Sequence, residues 1–296
     1  MKMTTQALRQ KVGQFFFPAV FINDTEENIQ ETERLIKEYN IGGLTFFHSR
    51  ASAATNYESK KKVEFNDDSY QKIKALHFYG SGVHAEAQAE VLLRALSTIF
   101  TETDVTVYHD MLAAARALLG KEKGFAAILG TGTNTCIYDG QQITHQIDSL
   151  GFILGDEGSG SAIGRRLLSA YIRKKLPSDL HQKFEATYQL RESDIIEHVY
   201  SKPLANRFIA GFCGFVGQNL YHDFMYNLVA KSFESLFQEI VIHYPNYQSY
   251  TFNCVGSVGY YFKDILIVKA ASFGMSCGKI VSNPIHGLVD FHQSKL

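Results

Sequence analysis

Two glycine-rich loops hold the residue types in this chain that could do chemistry. The first, Gly130-Thr131-Gly132-Thr133-Asn134, separates an apolar run over residues 125–129 from a second over 135–138. Bare N–H groups beside hydroxyls, in a turn where glycine lets the main chain come close, are what a phosphate needs. The second, Gly155-Asp156-Glu157-Gly158-Ser159-Gly160, leads directly into a helical pattern over residues 161–174. Two carboxylates among glycines suit a polar ligand that carries several hydroxyls. Neither loop is specific alone; the two in this order are. Asp110 precedes an Ala-rich helical pattern, and spacing alone makes it a helix N-cap, worth about 1 kcal/mol to the helix. Gly256-Ser257 follows a strand-like run, as any strand-to-helix turn would.

The elements that must position these loops follow from turn residues and periodicity. Three runs, residues 125–129, 135–138 and 142–147, are divided by the first loop and by Asp139-Gly140, which predicts a β-meander. Upstream, residues 76–79 predict a strand and 80–82 a turn. Residues 85–100 predict a helix with Val91, Leu92, Ala95, Leu96 and Ile99 facing inwards. A strand over 105–108 and a helix over 111–119, capped by Asp110 and ended by Gly120, come next. Downstream, 195–199, 204–220 and 224–242 read as helices, and 251–255 and 278–282 as strands. The alternation gives an α/β class. At the start, a strand-like run over 15–22 precedes Asp24 and Glu27, a capping-box-like helix start. A helix over 25–39 and a strand over 43–47 complete a βαβ pattern, which wants a parallel sheet. The polar stretch 51–76 is the expected boundary.

Composition narrows the class. The 296 residues are 45% hydrophobic and 20% charged, as in ordinary globular proteins, and long enough for one large or two modest domains. A net charge of −1 excludes the footprint of a nucleic-acid binder, and Lys60-Lys61-Lys62 reads as a solvated turn. Cys136, Cys213, Cys254 and Cys277 form no CxxC pair and have no histidine at metal spacing. Each reads as a small buried hydrophobe in a reducing compartment, and no metal-ligating residue is assigned. The early apolar run is broken by Pro18, lacks a cleavage site and is too short to span a membrane. A cytoplasmic protein with no membrane or nucleic-acid partner is expected.

GTGTN followed by GFILGDEGSG resembles the N-acetylglucosamine kinase branch of the actin/hexokinase/heat-shock superfamily, which overlaps a group of BadF/BadG-type ATPases. FYGSGV (78–83), VYHDMLAAARALLG (107–120), FNCVGSVGYYFKD (252–264) and NPIHGL (283–288) extend the likeness over about residues 77–296. It implies an actin/hexokinase-like (ribonuclease H-like) fold. The remainder of a first subdomain would lie at 77–122, and a second, with the phosphate and sugar loops, at 123–296. It implies phosphoryl transfer from ATP, with Mg²⁺, to N-acetylglucosamine or a similar amino sugar. Asp110 would then be the catalytic base, and Gly130, Thr131, Gly132 and Thr133 would hold phosphate. Gly256 and Ser257 would lie on the adenosine side. Asn134 and Asp156 would contact the sugar, and Glu157 would either contact it or orient the loop. A homodimer is left open.

The likeness does not include residues 1–76. There, LRQKVGQFFFPAVFIND and IGGLTFFHSRASAATNYES look like the opening of a glycoside hydrolase family 3 β-N-acetylglucosaminidase, whose (β/α)₈ barrel they would begin. The parts that would carry its nucleophile and acid are missing, so no glycosidase residue is carried over. The kinase family opens with an Asp-x-Gly-x-Thr hairpin that holds the other side of the phosphates. Asp24, Asp67 and Asp68 are the aspartates of this segment, and none has a glycine at that spacing. The expected architecture is therefore an incomplete kinase fold behind a foreign βαβ-type segment, with impaired turnover. A non-catalytic sugar- or partner-binding remnant and a glycosidase fragment stand as alternatives.

Overall fold

The computed structural model describes residues 75–81, 83 and 86–293, together with the backbone of 19–21 and 45–47. The chain divides into two compact units, residues 1–113 with 292–296, and residues 114–291.

In the first unit, β1 (Ala19–Phe21) and β2 (Thr45–Phe47) pair in parallel, with Ala19 opposite Thr45. The helix expected over 25–39, the Lys60-Lys61-Lys62 turn and residues 51–74 of the boundary expected at 51–76 lie outside the described residues, while Ala75 and Leu76 of that stretch already belong to a strand. A second parallel pair joins β3 (Ala75–Gly80) to β4 (Asp104–His109), with Leu76 opposite Val105. Parallel strands need a crossover, and α1 (Glu86–Ile99) supplies it. The inward face expected for this helix needs correction. Val91 is 67% exposed and Ala95 is also exposed, whereas Leu92 and Leu96 are half-buried. Val91 and Ala95 lie along one edge of this stripe and Leu92 and Leu96 along the other, and only the second edge is turned to the core. The narrower line through Leu96 and Phe100 packs with Leu76 and Val105. α2 (Asp110–Leu119) starts where β4 ends, with Asp110 already in its first turn rather than ahead of it.

The second unit is built on a five-stranded sheet of β5 (Gly124–Leu129), β6 (Thr133–Tyr138), β7 (Ile143–Ile147), β8 (Phe252–Val255) and β9 (Cys277–Val281). Its order is β7-β6-β5-β8-β9. The meander β5-β6-β7 is antiparallel, and β8 and β9 add to β5 in parallel. This is the ribonuclease H-like half of an actin/hexokinase-like fold. Between β7 and β8 come α3 (Gly151–Leu154), α4 (Gly160–Ile172), α5 (Ser178–Tyr188), α6 (Glu192–Ser201), α7 (Ala205–Gly211), α8 (Cys213–Gln218) and α9 (Asp223–Glu239). α10 (Ser257–Tyr261), α11 (Lys263–Ser272) and α12 (Ile285–Gln293) complete it. Residues 204–220, expected as one helix, are two. They break at the buried Phe212, which Gly211 and Gly214 flank with weak helix formers. α5, not read from the sequence, starts directly after Pro177.

The core of this unit lies between the sheet and α4, α9 and α11, with Phe125, Phe237 and Phe252 fully buried. Tyr244 braces the meander from behind. Its ring meets Phe125 edge-on at 5.2 Å, and its hydroxyl donates to the Thr135 carbonyl (2.8 Å) while accepting from the Ile147 N–H (2.9 Å). All four cysteines are free. Burial pushes the Cys136 and Cys213 thiols up to about 12 and that of Cys277 to about 11, so none is poised as a nucleophile. Among the described residues, no helix is long and apolar enough to cross a membrane.

Candidate functional site

The first glycine loop is shorter than its sequence suggests. Strand β6 takes in Thr133 and Asn134, so only Gly130, Thr131 and Gly132 form the turn, closed by the Gly130 N–H on the Gly132 carbonyl at 3.1 Å. Four hydrogen bonds lock this hairpin to the second loop. The Thr133 N–H donates to Asp156 Oδ1 (3.0 Å), and the Thr133 hydroxyl donates to the Glu157 carbonyl (2.6 Å). In the other direction, the N–H groups of Gly160 and Ser161 donate to the carbonyls of Gly130 (2.8 Å) and Thr131 (3.0 Å). The hairpin carbonyls thus satisfy the open N-terminus of α4, and Ser159 Oγ caps the next donor, Ala162 N–H, at 3.1 Å. Two donors are left over. The N–H groups of the exposed Thr131 and the half-buried Gly132 have no partner among the described residues.

Close approach explains one glycine here. A Cβ on Gly132 would stand 3.0–3.1 Å from both Asp156 carboxylate oxygens, which Thr133 holds in place. Gly256, at the end of β8, lies against the same turn: a Cβ there would meet the Leu129 carbonyl oxygen at 2.3 Å. The structure therefore brings together the hairpin, Asp156, Glu157 and Gly256. Ser257 follows with an exposed side chain at the start of α10.

Asn134 sits differently. Strand alternation sends its side chain to the sheet face opposite that of Thr133. Its Oδ1 accepts from the Thr135 N–H and from Gln146 Nε2, both at 3.0 Å, and its amide NH₂ has no partner among the described residues. Asn134 and Asp156 share no hydrogen-bond partner. Asp110 belongs to the first unit, at the junction of β4 and α2.

Asp156 is only 6% exposed and adopts a left-handed backbone, φ 59°. Burial raises its carboxyl above the ordinary aspartate range, although the Thr133 N–H and the Ser149 side chain oppose that rise. A raised folded value means that folding favours the protonated form relative to the unfolded chain. The group's contribution to stability is then complete below the unfolded pKa and is lost as pH rises through the folded one. Asp156→Asn keeps an acceptor for Thr133, tolerates the left-handed backbone and cannot ionise. The variant should therefore gain thermal stability relative to wild type as pH rises from 4 to 7. A melting difference that stays flat or reverses across that range would contradict the buried-carboxylate account.

Sequence reasoning missed Ser149, whose carbonyl accepts from the Asp156 N–H at 2.8 Å, and Tyr244. Neither has a local signal, since Ser149 lies in an unpatterned loop and Tyr244 acts across more than a hundred residues.

Protein-family models and curated proteins gave no match to the chain. Among solved structures, it is similar to a candidate N-acetylglucosamine kinase from Porphyromonas gingivalis, at 38% identity and a TM-score of 0.73, over 75% of this chain and 78% of that one. A candidate N-acetylglucosamine kinase from Chromobacterium violaceum aligns at 15% identity and a TM-score of 0.58, over 89% of this chain and 82% of that one. The second likeness shows the fold alone; the first reaches the sequence as well. The chain belongs to the N-acetylglucosamine kinase family of actin/hexokinase-like sugar kinases.

Proposed function

We propose that the chain is an ATP-dependent phosphotransferase acting on N-acetylglucosamine or a similar amino sugar, with slow turnover. The observation that carries this reading is the interlocked pair of loops. The pair leaves the Thr131 and Gly132 N–H groups without a partner among the described residues, open to a phosphate, beside a buried carboxylate suited to sugar hydroxyls. In the transfer, a sugar hydroxyl oxygen bonds to the γ-phosphorus, the bond to the β,γ-bridging oxygen breaks, and ADP leaves. Asp110 takes the hydroxyl proton. Its place in the first turn of α2 favours the ionised form that a base needs. Thr131 and Gly132 hold phosphate, while Gly130 and Thr133 shape the turn. Gly256 and Ser257 border the adenosine side, Asn134 and Asp156 bind the sugar, and Glu157 orients the loop through its carbonyl.

Mg²⁺ normally accompanies ATP in such a transfer. Among the described residues, no group of three or more His, Cys, Asp or Glu side chains could hold a metal ion. No residue is assigned to Mg²⁺, and no step is routed through it. Slow turnover is part of the proposal because residues 1–76 contain no Asp-x-Gly-x-Thr sequence, the phosphate motif with which the family opens. We take that segment as glycoside hydrolase family 3-like on sequence likeness alone, with the kinase-like subdomains at 77–122 and 123–296. A cytoplasmic location belongs with the same reading. The missing motif also supports a second reading, a non-catalytic sugar-binding remnant.

Calorimetric titration with N-acetylglucosamine tests the sugar site under either reading. Losing one partner of a charge-assisted hydrogen bond costs about 1.5–3 kcal/mol. Asp156→Ala should therefore weaken binding by roughly tenfold or more. Equal affinity in variant and wild type would remove Asp156 from the site.

A further inference from the structure

A groove of about 1090 Å³ runs between α4 and α9, apart from the hairpin turn. Its walls carry Arg165 and Arg166 from α4, Arg173 and Lys175 just beyond its end, and Lys231 from α9. Glu157 and Glu239 are the carboxylates that line it. Five cations against two carboxylates is a strong local excess in a chain whose net charge is −1. None of the five takes part in an ion pair among the described residues. Arg165 donates to the Phe152 carbonyl, and Arg166 Nη2 donates to Ser235 Oγ at 2.9 Å, so two guanidinium groups are held in position. Arg173, Lys175 and Lys231 stay exposed.

The floor adds an independent observation. Ser232, on the groove-lining face of α9, is 1% exposed, and its hydroxyl has no hydrogen-bond partner among the described residues. A buried hydroxyl without a partner costs free energy unless something visits it. Beside it, Ala162, Ala170 and Leu228 give the groove an apolar base. Its size is that of a site for a small organic molecule. We propose that this groove binds a small phosphorylated anion, with its phosphoryl oxygens on the arginines and lysines and one acceptor on the Ser232 hydroxyl. Guanidinium groups match phosphate oxygens in pairs, and the apolar base suits the body of an organic phosphate. Glu157 lines this groove while its carbonyl holds the Thr133 hydroxyl, so a ligand here lies one residue from the hairpin.

Pyrophosphate is the probe, titrated into the full chain by calorimetry at fixed ionic strength, with chloride as the control anion. Wild type should bind it saturably. Arg173→Glu combined with Lys231→Glu should weaken binding by about tenfold or more, because two attractions become repulsions. Both positions are exposed, so the variant should keep the wild-type melting temperature. Ser232→Ala should weaken binding less, by a few-fold. Pyrophosphate binding that survives the double charge reversal but is lost in Gly132→Ala would place the anion on the hairpin and overturn the proposal. Binding no stronger than that of chloride would overturn it as well.

Discussion

Replacing Asp110 with Asn should lower sugar-dependent phosphotransfer by about 10²–10⁴-fold, the usual cost of losing a general base. The amide has the same shape and can still serve the first turn of α2, so the fold and the affinity for N-acetylglucosamine should change little. The split matters more than the size of the loss. A residue that only supported the helix would lower stability and leave turnover per folded molecule almost unchanged. Single-turnover rates and melting temperatures, measured on the same preparation, separate the two roles. A variant with near wild-type turnover would reduce Asp110 to a helix-end residue.

Gly256→Ala should damage the second unit more than any other single methyl addition at the loops. Gly256 has φ 129° and ψ 154°, a region that is essentially closed to residues with a side chain. The added Cβ would also press on the Leu129 carbonyl oxygen, 2.3 Å away, at the base of the hairpin turn. Backbone strain of this kind costs about 1–3 kcal/mol before the clash is counted. For a unit of this size the melting temperature should fall by roughly 6–12 °C, at about 2–4 °C per kcal/mol and a total near 3 kcal/mol. Sugar and nucleotide affinity should fall with it, since the displaced peptide is the one that opens the hairpin. An unchanged melting temperature would show that β8 and the turn can move apart freely.

Where local chemistry decided the structure, the sequence was readable. Asp139-Gly140 turns the chain because Asp139 Oδ1 accepts from the N–H groups of Gln141 and Gln142, both at 2.8 Å, an interaction within four residues. The glycine loops and the meander follow from the same kind of signal, as does the α/β alternation. What the loops do for each other was not readable. Thr133 looks like a phosphate ligand in sequence, yet its N–H and its hydroxyl both go to the Asp156 loop, and strand β6 absorbs Asn134. Those partners lie more than twenty residues away and appear only when α4 folds back on the hairpin. The cationic groove is of the same kind. Arg173 and Lys231 become neighbours of one groove only through the packing of α4 on α9. Helix α1 shows the opposite failure, because only one edge of its apolar stripe meets the core and Val91, on the other edge, is exposed.

The central claim is that this chain moves phosphate to an amino sugar. ADP release by the full chain, followed with N-acetylglucosamine, with glucose and with no sugar, tests it most directly. The account predicts slow release that depends on N-acetylglucosamine and exceeds both controls. Release that is the same with and without sugar, or no release under conditions where calorimetry shows N-acetylglucosamine bound, would contradict it.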